Sequence, residues 1–174
     1  MTRSICISFL ILLPFLSVAQ QWKTFSDSSI AFTTKYPANW INKIKENNRV
    51  FFTSPSDGRS DNFYENVNVS VIQNAAYGNQ VKIKDVIPTV IDNLKTVFDE
   101  FKSESQRYFK WNKADACEII YSGYNKTNAD YRVRMTQWFC FYKTRLYTVT
   151  FTALANTNIH NVTAKKIMNG IIFK

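Results

Sequence analysis

The chain has 174 residues, enough for one domain, because a second hydrophobic core needs roughly 100 residues of its own. Hydrophobic residues make up 45% and charged residues 20% of the chain, as in globular rather than disordered proteins. The four glycines lie too far apart for a phosphate-binding loop or a G-x-S-x-G nucleophile elbow. The single histidine, His160, excludes H-E-x-x-H zinc motifs and multi-histidine metal centres. Composition therefore predicts no cofactor, no metal and no familiar set of catalytic residues.

The first 19 residues have the three parts of a secretory signal peptide. Arg3 gives a positive start, an apolar run covers residues 5–16, and Ser17-Val18-Ala19 supplies a small-residue end. The run of about 12 residues is shorter than the roughly 20 that span a bilayer, which favours cleavage over a membrane anchor. We predict a signal peptide over 1–19 and one mature domain over 20–174. The mature protein is expected to be secreted or periplasmic, without a transmembrane segment.

The chain is basic, with a formal net charge of +9. Without residues 1–19 it keeps 21 basic and 13 acidic residues, a net charge of +8. The basic residues come in scattered pairs such as Lys82 and Lys84, never in the runs of five or six that are typical of nucleic-acid-binding arms. We therefore predict an acidic protein partner or an anionic small ligand, and no nucleic acid. An ordinary solvated basic surface is the alternative.

The first half of the mature chain predicts short strands. Residues 30–36 form a β-type run that stops at Pro37, and residues 50–53 form another. Residues 66–72 alternate, with Val67, Val69 and Val71 on one face and polar side chains on the other. Such alternation is typical of a strand with one buried face.

The period changes over residues 85–101, where apolar residues recur at steps of three and four. This wide apolar stripe predicts an amphipathic helix, with Leu94 buried against the sheet. Asp85 is the expected N-cap, and Pro88 then falls in the first turn, where its missing N–H costs little.

Four more strands are predicted, over residues 104–110, 116–121, 131–142 and 146–153. Residues 125–130 are expected to turn a long hairpin, and residues 143–145 to make a tighter connection. A helix over 156–168, stopped by Gly170, and a short strand over 171–174 complete the chain. Large apolar side chains on both faces of 131–142 indicate helices on both sides of the sheet. The element order predicts the α+β class with a mainly antiparallel sheet.

Two cysteines, Cys117 and Cys140, flank the predicted hairpin turn. If Gly123 lies opposite Arg134, the two cysteines also lie opposite each other, close enough for a cross-strand disulfide. An oxidising compartment would preserve that bridge. A slip of one residue would put them on opposite faces, and two buried free thiols are then the alternative.

The order of motifs resembles the PsbP-like domains, small exported proteins named after an extrinsic subunit of photosystem II. The resemblance covers residues 30–173 and rests on these segments: Tyr36-Pro37-x-x-Trp40, Phe51-Phe52-Thr53-Ser54-Pro55, Glu65-Asn66-Val67-x-Val69-x-Val71, Gln137 in the long hairpin, and Tyr147-Thr148-Val149-Thr150-Phe151-Thr152-Ala153. Asn112-Lys113-Ala114-Asp115 departs from the family, whose members often have a glycine just before the hairpin strand. The resemblance implies an α/β/α sandwich with a central antiparallel sheet. It also implies binding or assembly rather than catalysis, as in photosynthetic accessory proteins and a nuclear import factor that binds a small GTPase.

The strongest candidate site is on the strand 131–142, where Arg132, Arg134 and Trp138 project from one face. Paired arginines can clamp an anion, and a nearby indole can stack on a ligand. The alternative is a solvated strand end beside a core tryptophan.

Two weaker candidates are not predicted to be sites. Asp57, Asp61, Asn62 and Glu65 offer oxygens to calcium, but their spacing matches no established calcium loop and Arg59 lies among them. His160 has no partner at helical spacing, so it is expected to be an exposed or capping residue.

These patterns predict an exported, non-enzymatic binding or accessory protein. An extracytoplasmic hydrolase with an unrecognised active site is the alternative. A deep pocket that holds two or more titratable groups with perturbed pKa values would favour the hydrolase.

Overall fold

The fold is seen in a computed structural model, which describes residues 20–45, 48–58, 62–73 and 81–174. The predicted signal peptide lies outside these residues. Within them the chain forms the following elements in order: β1 (Trp22–Asp27), β2 (Phe32–Pro37), β3 (Ile41–Lys45), β4 (Arg49–Thr53), β5 (Asn66–Gln73), α1 (Ile83–Val97), β6 (Phe98–Trp111), β7 (Ala114–Asn125), β8 (Asn128–Tyr142), β9 (Arg145–Leu154), α2 (Asn161–Asn169) and β10 (Ile172–Phe173). Neither helix of the described residues has the length and apolar character needed to cross a membrane.

Seven strands form the main sheet, in the order β3-β4-β5-β9-β8-β7-β6, and every neighbouring pair is antiparallel. A small sheet has the order β1-β2-β10. Helix α1 packs on β6, β7 and β8, whereas α2 packs on β2 and β5. The predicted antiparallel sheet is confirmed.

The two faces of the main sheet are covered by different layers. Trp138 and Cys140 of β8 belong to a core shared with α2 and the small sheet. Val133 and Phe139 point to the other face of β8 and belong to a core shared with α1. The predicted helix on each face is therefore present, which explains the apolar side chains on both faces of β8. The α2 layer also contains the small sheet, so strands dominate and the full α/β/α sandwich description is not confirmed.

The sequence analysis did not predict β1 and β3, because neither strand has buried apolar residues at every second position. All five side chains of β3 are exposed, as befits an edge strand with lysines. In β1 only Phe25 is buried, so no period of two is visible in the sequence.

Helix α1 is shifted relative to its prediction. It begins at Ile83 after Lys82, which has extended backbone and makes no side-chain cap, so Asp85 is not the N-cap. It ends at Val97, and the continuing apolar stripe belongs to β6, whose Phe98 packs in the same core. Ile87 is buried, whereas Leu94, predicted to be buried, is only half-buried.

Helix α2 is shorter than predicted, since it begins at Asn161 and not near residue 156. Its predicted stop is confirmed, because Gly170 is the C-cap. The short final strand is also present and pairs with β2.

The register of the long hairpin differs by one residue from the predicted one. Arg134 lies opposite Ser122 rather than Gly123. Cys117 consequently lies opposite Phe139, and Cys140 opposite Ala116. An irregularity between Tyr124 and Asn125, next to the turn, sets this register.

The predicted Cys117–Cys140 disulfide is therefore wrong for this structure. Both cysteines are buried and free. Cys117 faces the core under α1 and Cys140 faces the core under α2. Because neighbouring side chains of a strand point to opposite faces, the slip of one residue separates the two thiols.

We expect the mature chain, starting at residue 20, to contain two free thiols that react only after unfolding. Burial raises the pKa of Cys117 to about 11 and that of Cys140 to about 12, so neither forms a thiolate readily in the folded protein. Ellman titration without reductant should find both thiols in denaturant and neither in native buffer. Fewer than two reactive thiols in the denatured protein would contradict the register.

Candidate functional site

Arg132 and Arg134 lie on one face of β8, as predicted, but each is already paired. Arg132 Nη1 is 2.6 Å from Glu100 Oε2, and Arg134 Nε is 2.7 Å from Glu104 Oε2. An external anion would have to compete with these two glutamates. Surface ion pairs contribute about 0–1 kcal/mol, so such competition is physically possible.

The two glutamates reach the arginines from β6, across the intervening strand β7. The β6–β7 register is irregular at two places, between Asp99 and Lys102 and between Ser103 and Ser105. Glu100 adopts a left-handed backbone there, with φ of 50°. Gly123 of β7 permits this close approach, because a Cβ atom would lie 2.9 Å from the Asp99 carbonyl oxygen. The bulged edge strand thus neutralises the arginines of β8.

Trp138 is a core residue, which is the alternative that the sequence left open. It is 2% exposed, and its Nε1 donates a hydrogen bond to Glu118 Oε2 at 2.6 Å. Arg134 and Trp138 nevertheless line one cavity of about 230 Å³ between the sheet and α2, together with Lys165. Only a ligand that enters this cavity could reach the indole.

Glu118 is a buried carboxylate held by two donors. Arg107 Nε donates to Glu118 Oε1 at 2.5 Å, and Trp138 donates to the other oxygen. Burial works to raise the pKa of Glu118, but the hydrogen bonds from Arg107 and Trp138 outweigh it and leave the pKa lowered. Sequence analysis missed this residue, because its neighbours on β6 and β8 are known only from the register.

A larger pocket, of about 530 Å³, lies where α1 begins and where two turns of the main sheet meet it. Its walls include the apolar side chains of Ile83 and Phe141 and the ring of Tyr108. Four exposed lysines also line it, two at the start of α1, one in the β6–β7 turn and one in the β8–β9 turn: Lys82, Lys84, Lys113 and Lys143. We refer to it as the lysine pocket.

The four lysines of the lysine pocket are not neutralised by carboxylates of the described residues. The basic residues that do form ion pairs with carboxylates, among the described residues, all lie outside this pocket: Lys95, Arg107, Lys110, Lys126, Arg132, Arg134 and His160. Asp115, the acidic residue of the pocket wall, pairs with Lys110 at 2.8 Å. The four lysines enter no such pair within the described ranges. They come from three separate segments, so no sequence pattern could have grouped them.

A third cluster joins Asp57, Glu65 and His160. One ligand atom of each lies within 4.8 Å of the other two. His160, expected to be an exposed or capping residue, occupies the N-cap position of α2 but makes no side-chain cap. Its partner is distant in sequence, since its Nε2 lies 3.0 Å from Asp57 Oδ1. Of the loop residues weighed as calcium ligands in the sequence, Asp61 lies outside the described residues. The residues that could hold a metal are therefore two of those carboxylates together with the histidine.

No protein-family model matches the sequence, and no curated protein matches it. Solved structures do match. The cyanobacterial PsbP of Synechocystis is similar with a TM-score of 0.61 and 11% identity, over 95% of this chain and 99% of that one. The Ran-binding protein Mog1p of Saccharomyces cerevisiae has a TM-score of 0.58 and 10% identity, over 89% and 96%. A protein of unknown function from Pseudomonas aeruginosa has a TM-score of 0.63 and 14% identity, over 88% and 97%.

These likenesses establish the PsbP-like fold, which the order of motifs had indicated. At such low identities they show the fold alone, since one fold hosts many functions. What the surface does has to be argued from its side chains.

The change Glu118→Gln should lower the free energy of unfolding by about 1–2 kcal/mol at neutral pH, since it removes the charge bound by a half-exposed Arg107. The pKa of Glu118 is lower in the folded than in the unfolded protein. The stabilisation that the Glu118 charge gives to the fold is therefore fully present above the pKa of the unfolded state. It is lost as the pH falls through the pKa of the folded state. Urea unfolding of both proteins at neutral and at acidic pH should show the difference shrinking in acid.

The matched control is Asp92→Asn, which removes the exposed ion pair with Lys95 on α1. We expect it to change stability by less than about 0.5 kcal/mol at either pH. A Glu118→Gln effect that does not depend on pH would contradict the assigned charge state.

Proposed function

We propose that this protein is an exported binding protein without enzyme activity of its own, and that it engages an acidic segment of a partner protein. The observation that carries the proposal is the lysine pocket, where four exposed lysines surround an apolar wall and none is neutralised by a described carboxylate. Elsewhere in the described residues some bases, such as Arg132 and Arg134, are paired with carboxylates, whereas others, such as Lys43 and Lys45, enter no ion pair. What distinguishes the lysine pocket is that several unpaired lysines surround a concave apolar wall, a combination that attracts acidic groups and can also bury an anchoring side chain.

The two kinds of side chain in the pocket have complementary roles in binding. Unpaired lysines steer an acidic partner and fix its orientation. Apolar and aromatic groups such as Ile83, Phe141 and the half-exposed Tyr108 can bury an anchoring side chain, which supplies most of the affinity. The start of α1 adds the positive end of the helix dipole, with no side-chain cap from Lys82 to cover it.

A small anionic ligand is the other possible occupant, since pockets of about 300–1,000 Å³ commonly take one. A protein partner is favoured because the lysines are exposed and come from three separate segments around an open rim. The folds that match include a Ran-binding protein, which supports protein binding as a use of this architecture. Arg132 and Arg134 are the second location for an acidic partner, less favoured because Glu100 and Glu104 already occupy them.

A binding role is preferred to the hydrolase alternative because of how His160 is used. A hydrolase that acts through a serine, threonine or cysteine nucleophile needs that group within hydrogen-bond distance of a base. Within the part of the chain that the structure describes, the His160 ring hydrogen-bonds to Asp57 and contacts the Trp40 ring, not a hydroxyl or thiol. Glu118 is likewise held by Arg107 and Trp138.

Photo-cross-linking in the cells that make the protein tests the partner. A benzophenone amino acid in place of Tyr108, which lines the pocket, should capture an acidic protein. The same group in place of Tyr64, equally exposed but outside the pocket lining, should not. The affinity of the captured partner should fall with rising salt, because exposed charges are screened beyond about 8 Å at physiological ionic strength.

Charge reversal then locates the site. The double change Lys84→Glu with Lys113→Glu should weaken binding about tenfold, or ~1.4 kcal/mol. The control Lys23→Glu with Lys43→Glu makes the same change in net charge on other exposed lysines. Equal weakening by both pairs would mean unspecific attraction. Weakening only by Arg132→Ala with Arg134→Ala would move the site to the hairpin, and capture of a small anion alone would exclude the protein partner.

We also propose export, on the strength of Arg3, the apolar run and Ser17-Val18-Ala19. Mass spectrometry of the protein recovered from the periplasm or medium should give a mature chain that begins at Gln20. A chain that keeps residues 1–19 and stays in the cytoplasm would exclude it.

A further inference from the structure

We infer that Asp57, Glu65 and His160 form a site for a first-row divalent cation, with zinc as the preferred metal. The three residues come from separate parts of the fold. Asp57 follows β4, Glu65 precedes β5, and His160 immediately precedes α2. One nitrogen and two carboxylate oxygens thereby come within 4.8 Å of one another.

Two of the three ligands are held in place by structure that does not depend on a metal. Ser54 N donates to the Glu65 carbonyl oxygen at 2.8 Å, which extends the β4–β5 ladder by one pair. The His160 ring packs edge-on against the buried Trp40, with 5.5 Å between ring centroids. Preorganised ligands of this kind favour metal binding, because little ordering remains to be done.

The burial of Glu65 is the independent sign that a cation belongs here. Glu65 is 3% exposed, and the hydrogen bond described for its carboxylate comes from Ser54 Oγ at 3.4 Å. No lysine or arginine of the described residues forms an ion pair with it. A buried carboxylate is costly unless its charge is compensated. By contrast, the buried Glu118 has Arg107 for this purpose.

The donor set favours zinc over calcium. Zinc takes one imidazole nitrogen at about 2.0–2.1 Å and carboxylate oxygens at about 2.0–2.2 Å, so tetrahedral ligand atoms lie roughly 3.3 Å apart. His160 Nε2 and Asp57 Oδ1 are already 3.0 Å apart. The remaining distances, of at most 4.8 Å, therefore need to contract by about 1.5 Å at most on binding. Calcium prefers six to eight oxygens, so the imidazole disfavours it.

Three protein ligands leave a fourth position for water, and zinc outcompetes manganese and ferrous iron at such a site. Bound metal would tie the loop after β4 to the start of α2. Cys117 and Cys140 do not compete for zinc in the folded protein, because burial raises the pKa of both thiols to about 11 and about 12.

The single histidine makes the test unambiguous. The untagged mature chain is stripped with a chelator, and zinc chloride is titrated in while the imidazole nitrogens are followed by long-range proton–nitrogen NMR. We expect one zinc per chain, a large shift of the Nε2 resonance with the proton held on Nδ1, and a higher melting temperature. Calcium chloride at the same concentration should produce none of these changes.

Variants separate ligation from general ion binding. Glu65→Gln and His160→Gln should each raise the zinc dissociation constant more than tenfold, since even outer-shell losses cost about 10–100-fold. Asp92→Asn, an exposed carboxylate on α1, should leave it unchanged. If Glu65→Gln fails to fold, Asp57→Asn on the exposed loop provides the same test.

Two results would overturn the inference. The first is an imidazole spectrum and melting temperature that do not respond to zinc at large excess, with the ring protonated between the two carboxylates instead. The second is zinc binding of equal affinity in the parent and in the ligand variants.

Discussion

The register between β7 and β8 determines which core receives each side chain of the long hairpin. Both faces of β8 are buried, so alternate residues serve the core under α1 and the core under α2. A row of three side chains depends on this register, because Arg107, Glu118 and Trp138 lie directly opposite one another on β6, β7 and β8. The row satisfies a buried carboxylate from both sides. A slip of one residue between β7 and β8 would leave Glu118 without its Trp138 donor and would change the position of Cys140 relative to Cys117.

Charge on this protein is distributed by the same strand pairings. The bulges of β6 bring Glu100 and Glu104 to the arginines of β8. The positive charge at this end of the hairpin is therefore neutralised by carboxylates of the same sheet. At the opposite end of the strands, two turns and the start of α1 bring four lysines together. The carboxylate beside them, Asp115, forms its ion pair with Lys110 instead. The net charge of the chain indicates that the protein attracts anions, and the grouping of unpaired lysines around an apolar wall is the basis for the proposed location.

Both surfaces that carry the functional proposals are made of turns and loop ends held by the sheet. The lysine pocket uses the β6–β7 and β8–β9 turns, and the Asp57, Glu65 and His160 cluster uses the ends of β4 and β5 and the approach to α2. Loops of this kind can vary while the antiparallel sheet stays the same. That separation accounts for a fold shared at 10–14% identity with proteins as different as a cyanobacterial PsbP and a Ran-binding protein.

The sequence by itself determined the elements with strong periodicity. The alternation of β5, the apolar stripe of α1, the two-faced β8 and the stop at Gly170 are local patterns that backbone geometry imposes on any chain. It also determined the basic charge and the PsbP-like order of motifs. It could not determine the hairpin register, because an irregularity beside the turn adds residues to one strand and leaves no mark in hydrophobic period. The lysine pocket, the carboxylate held by Arg107 and Trp138, and the partner of His160 were decided by tertiary structure alone, since their members are brought together by pairings between distant segments.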